Sequence, residues 1–167
     1  MRAHPSRRGK AEKGVAAIEV GVTVVLLFGL LFLIMDLSML LFIRSTLQDA
    51  VRDGVRFGVT GNLAGHQYLN DSIRQAVQDA ALGFLNGPAG ACKIDISYIN
   101  PDTGTASIGT QGDVIYVSVN NYNYTPLGAV LKSADPFRIS VSASDILEKC
   151  PVGGCPVALN PTPLVCP

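Results

Sequence analysis

Gly14 and Glu19 are the residues whose types and spacing point most directly to chemistry. A carboxylate stands five residues after a glycine, at the entrance to a long apolar run, and a basic stretch lies just before both. A carboxylate at the mouth of a membrane helix is costly to keep ionised unless something pairs with it. The combination points to a membrane anchor that carries a processing site.

Other groups offer less. His4 and His66 flank the apolar run on opposite sides, so no Ser/His/Asp or Cys/His arrangement forms simply from them. The phosphate-binding G-x-x-x-x-G-K-[ST] loop, the H-E-x-x-H metal site and the dinucleotide fingerprint do not occur. Asp95, Asp102 and Asp113 could meet across a hairpin and hold calcium, but read better as strand-face and turn residues. Tyr116, Tyr122 and Tyr124, interleaved with Asn120, Asn121 and Asn123, form either a polar aromatic contact patch or an ordinary structured segment. No enzymatic activity, cofactor or metal is expected.

The apolar run extends from Val20 to Ile43 with one charge, Asp36. As a helix it is about 36 Å long, enough to cross a hydrocarbon core of about 30 Å with some tilt. One Asp costs about 2.5–3.5 kcal/mol at the bilayer centre and less near an edge, whereas the Leu, Ile, Val and Phe residues together contribute more. Insertion wins. The run is longer than the apolar part of a secretory signal and no A-x-A-like site follows it, so a retained anchor is expected.

Charge is distributed unevenly. Five of the 13 Lys and Arg and one of the 13 Asp and Glu precede Gly14, leaving eight basic against twelve acidic residues, a net −4, for the rest. The basic leader places the N-terminus in the cytoplasm and the C-terminal part outside. The acidic exterior argues against nucleic-acid binding. Cys92, Cys150, Cys155 and Cys166 all fall on the external side, where an even count suggests two disulfides. Cys92 with Cys150 and Cys155 with Cys166 is the preferred pairing, with Cys150 to Cys155 its rival.

The periodicities predict an α+β fold. The membrane helix continues beyond Arg44, with Leu47, Val51 and Val55 on one face and a smooth stripe of Ala50, Gly54 and Gly58 beside it. That stripe is either a contact for another helix or a slot for the chain's own elements. A second, amphipathic helix is expected over Tyr68 to Leu85, ended by Asn86-Gly87-Pro88. Strands are expected at Lys93 to Ile99, Val114 to Val119 and Phe137 to Ala143, forming a small antiparallel sheet with one apolar face. The expected organisation is a cytoplasmic leader (1–14), the transmembrane helix with its external extension (15–60), an external α+β domain (61–149) and a Pro- and Cys-rich tail (150–167).

The N-terminal third resembles the TadE-like proteins, pilin-like proteins of the bacterial tight-adherence (Flp) pilus system. The resemblance rests on Arg7-Arg8, Gly14-Val15-Ala16-Ala17-Ile18-Glu19, the apolar helix, Met35-Asp36 and Leu47-Gln48-Asp49-Ala50-Val51-Arg52-Asp53-Gly54-Val55-Arg56. It implies a minor-pilin or pseudopilin role, acting with a TadF-like partner and other pilin-like subunits at an inner-membrane assembly platform. It also implies cleavage by a prepilin peptidase after Gly14, leaving Val15 as the new N-terminus. Val20 departs from the aromatic that pilin-like substrates often carry there. The new amine would lie four residues from Glu19 and could neutralise it, on the same chain or a neighbour, and so set subunit register. Asp36 would contact a partner helix. The competing expectation is a constitutively anchored periplasmic or cell-surface binding module that keeps residues 1–14.

Overall fold

The computed structural model describes residues 8–61, 68–127 and 136–148, with side chains from residue 14 onward. The basic residues before Arg8, and Cys150, Cys155 and Cys166 with the tail, lie outside the described residues.

One helix, α1 (Arg8–Val59), runs through the whole apolar stretch and its extension. No proline interrupts it. Its few polar side chains are satisfied locally: the Thr23 hydroxyl donates to the Glu19 carbonyl and the Ser38 hydroxyl to the Ile34 carbonyl, both at 2.8 Å. It ends where Gly61 takes a positive φ and its N–H returns to the Gly58 carbonyl. The amphipathic segment forms α2 (Leu69–Ala80). This is shorter than the expected helix, because Leu82 and Gly83 both enter the left-handed region. The Gln78 side-chain amide donates to the carbonyls of Leu85 and Gly87, stitching this turn closed. Asn86-Gly87-Pro88 then starts a short helix, α3 (Gly87–Ala91), rather than only ending one. Proline suits a first helical turn, where its missing N–H costs nothing.

Three strands follow: β1 (Ile94–Ile99), β2 (Val114–Tyr124) and β3 (Phe137–Ile146). They form an antiparallel sheet in the order β1-β2-β3. Ile94 pairs with Val119 and Tyr98 with Ile115 on one side, and Val119 pairs with Val141 on the other. β2 runs five residues past its expected end. The register slips between Val119 and Tyr122, where Asn121 adopts a positive φ, so Asn120 and Asn121 form a bulge. Asparagine tolerates that conformation better than most residues. The bulge brings Tyr122 and Tyr124 to the core.

The chain divides into two compact units: residues 1–39 with 125–136, and residues 40–124 with 137–167. The second unit holds the core. Ile43, Leu47, Ala50, Val51 and Val55 of α1, Leu69, Ile73 and Val77 of α2, and Ile115, Val117, Val119, Ile139 and Val141 of the sheet are all buried in it. An aromatic series, Phe42 to Phe84 to Tyr122, continues it with edge-on contacts at 6.1 and 6.2 Å.

Candidate functional site

Between Val15 and Met35, α1 exposes apolar side chains on every face. Three facing turns would bury some of them in a soluble domain, whereas here none is fully covered. An added Cβ at Gly14, Gly21 or Gly29 would meet nothing within 4 Å. Among the described residues one helix is long and apolar enough to cross a membrane, and it is this one. Gly14, Val15 and Glu19 lie at its N-terminal end, and all three are exposed. Among the described residues no side chain pairs with the Glu19 carboxylate.

Asp36 is the first fully buried residue of the helix, 3% exposed. Its carboxylate accepts the backbone N–H of Leu127 at 2.9 Å. The charge that interrupts the apolar run is therefore held by the connection between β2 and β3, a contact inside this chain. Burial then recurs along one face at Ile43, Leu47, Ala50, Val51 and Val55. The last turns of the expected Val20 to Ile43 span thus contribute Ile43 to the domain core.

The small-residue stripe is filled from within. Ala50 is buried. A Cβ at Gly54 would lie only 2.3 Å from Val77 Cγ2, and one at Gly58 would lie 2.7 Å from Ile115 Cδ1 and 3.0 Å from Ile73 Cδ1. The glycines let α2 and the sheet approach the α1 backbone, and this close packing leaves no room there for a second helix.

Asp95, Asp102 and Asp113 do not converge. Asp95 is a strand residue opposite Ser118, Asp102 sits exposed in the turn after β1, and among the described residues no cluster of metal-ligating side chains occurs. Asp113 is buried and accepts hydrogen bonds from the Ser107 hydroxyl and from the hydroxyl and N–H of Thr110. Burial alone would raise its pKa, but these donors outweigh it and hold the carboxyl below its usual range. Its role is to close the β1–β2 loop. The tyrosines do not form one patch: Tyr122 and Tyr124 pack on the core, whereas Tyr116 is on the exposed face. Tyr98, deep in the core, donates its hydroxyl to Asn70 Oδ1 at 2.7 Å, and burial pushes its pKa well up.

A long, partly bare apolar helix, further short helices and a small antiparallel sheet define an α+β architecture. Residues 14–56 match the family model of the TadE-like proteins, so this segment is TadE-like. The match ends within α1, just before the helix does, and it points to a pilus-associated, pilin-like protein. No curated protein and no solved structure matches the chain.

Proposed function

We propose that this protein is a minor pilin or pseudopilin of tight-adherence (Flp) pilus biogenesis, acting by packing of its N-terminal helix with other pilin-like subunits, a TadF-like protein among them. The observation that carries the proposal is the all-round exposure of α1 between Val15 and Met35 in a segment that matches the TadE-like model. Those 21 residues span about 32 Å as a helix, close to the hydrocarbon thickness of about 30 Å. Glu19 then lies about 6 Å inside the inner boundary, where an ionised carboxylate needs a cation.

In this reading a prepilin peptidase cleaves after Gly14 and the new Val15 amine supplies that cation, within the subunit or from a neighbour. The basic leader keeps the N-terminus in the cytoplasm, the helix spans the inner membrane at the assembly platform, and the α+β domain lies outside. Cys92 and the three cysteines of the C-terminal segment pair in the oxidising exterior.

Intact mass of the membrane-extracted protein, with and without reduction, tests this. A mature species beginning at Val15 is the expected result, and the shift on reduction and alkylation counts the disulfides. A species that retains residues up to Gly14 in a host with an active cognate peptidase contradicts it, and favours a permanently anchored binding module.

A further inference from the structure

Asp36 and Leu127 belong to the same compact unit, residues 1–39 with 125–136. The Leu127 N–H donates to Asp36 Oδ1 at 2.9 Å. This bond fixes the height of the start of the β2–β3 connection along α1. Leu127 stands beside the residue that immediately follows the bare segment from Val15 to Met35. Helical side chains lean toward the N-terminus of their helix, so the carboxylate holds Leu127 on the side of the apolar span.

The two sides of this contact differ in kind. Asp36 and Pro126 are buried, whereas Leu127 is 87% exposed, more than any other large apolar residue among those described. Met35 and Leu37, the neighbours of Asp36 on α1, are exposed as well. The connection thus turns a polar donor inward and an apolar side chain outward. A lone exposed leucine is ordinary on a wet surface. This one is fastened by its own backbone to the end of a bare helical segment that matches the hydrocarbon thickness of a bilayer.

The backbone here also suits a water-poor layer. A free N–H is expensive where water is scarce. Pro126 has none, and that of Leu127 is taken by Asp36. No charged residue stands between Asp113 and Lys132 in the sequence, so no charge is drawn in with Leu127.

We propose that Leu127 enters the outer edge of the lipid hydrocarbon beside α1, and that the Asp36 carboxylate is the clasp that sets its depth. The proposal rests on the reading of α1 as a membrane span.

The test is a depth measurement on the full chain reconstituted singly into bilayers of phosphatidylglycerol and phosphatidylcholine. A nitroxide amino acid replaces Val25, in the middle of the bare segment, or Leu127, where it leaves the backbone N–H in place. Relaxation of each label by oxygen and by a water-soluble nickel chelate is compared with that of free label in the buffer. Position 127 should favour oxygen over the chelate, as position 25 does and free label does not. In Asp36→Leu, chelate access at position 127 should rise by roughly twofold to tenfold, the equivalent of one lost hydrogen bond. Asp36→Asn, which keeps an acceptor oxygen, should change it less, and the melting temperature of each variant reports that it folds. Chelate access at position 127 equal to that of free label overturns the proposal. Protection from both reagents also overturns it, because the side chain then lies against protein. Unchanged access in Asp36→Leu overturns the role of the clasp. Position 25 separates the premises: chelate access there contradicts the span itself, whereas lipid at 25 with water at 127 contradicts the leucine contact alone.

Discussion

The two halves of α1 belong to one unbroken helix and differ in environment. From Val15 to Met35 the helix is apolar and uncovered on every face, whereas from Ile43 to Val55 one face is buried under α2 and the sheet. Two carboxylates illustrate the difference, one within the bare half and one just past its end. Glu19 is exposed without a partner among the described residues, and Asp36 is buried and accepts the Leu127 N–H. The contrast teaches that an apolar helix face has two possible uses, and that only the neighbouring chain decides which. The covered half is settled by this molecule's own core. The bare half is covered by nothing in the described residues of this chain.

The largest effect that sharpens the comparison is truncation of a buried leucine. Leu47→Ala should destabilise the domain by about 2–5 kcal/mol, read by thermal unfolding, because Leu47 is fully buried. Leu26→Ala, in the bare half, should leave the same unfolding transition unmoved. A comparable loss at both positions would break the distinction.

Adding a side chain to the glycine slot comes next. Gly54→Val should cost about 1–3 kcal/mol by overpacking, since its Cβ collides with the short, fully buried Val77 side chain. Gly21→Val, with open space around it, should not move the melting temperature of the domain.

Asp113→Ala should cost about 1–3 kcal/mol at neutral pH, because it strands the donors of Ser107 and Thr110. The folded carboxyl titrates below its unfolded value. Its contribution is therefore complete above the ordinary carboxylate pKa and is lost as pH falls through the lowered one. Melting curves of wild type and variant should converge in acid, and a gap that widens there would contradict the assignment.

The smallest effect concerns the clasp at the junction of the halves. Asp36→Leu removes the acceptor of the Leu127 N–H, worth about 0.5–1.5 kcal/mol, and hydrogen exchange at that amide should quicken by several-fold. Asp36→Asn keeps an acceptor oxygen and should change it less. Unaltered exchange in the leucine variant would dissolve the clasp.

Much of this architecture was legible in the residues. The proline-free apolar run, the i, i+4 recurrence of Leu47, Val51 and Val55, and the alternation in Ile115, Val117 and Val119 each fixed an element and its inward face. The glycine stripe was legible as a smooth groove, but its occupant was not. Val77, Ile73 and Ile115 reach it only once the chain has folded back. The end of the bare segment was hidden for a related reason. Lipid tails and a protein core are equally apolar, so hydropathy runs on through Ile43 although that residue belongs to the core. The Asp36 clasp joins residues 91 positions apart, and no local pattern encodes such a bond. Pro88 was read as a breaker when it opens α3, because proline is compatible with both. Asn120-Asn121 was read beyond the end of β2, because a bulge breaks the alternation that identifies a strand.

The most direct test of the two-environment account is a nitroxide scan along α1 in the full chain reconstituted singly into bilayers, with the label introduced as a non-natural amino acid so that the cysteines stay intact. Oxygen accessibility should be high at every position from Ile18 to Met35, independent of helix face. Beyond Ile43 it should alternate with the helical period, with protection at Leu47, Val51 and Val55. Periodic protection continuing through Ile18 to Met35, or access of a water-soluble relaxant to the middle of that segment, would contradict the account.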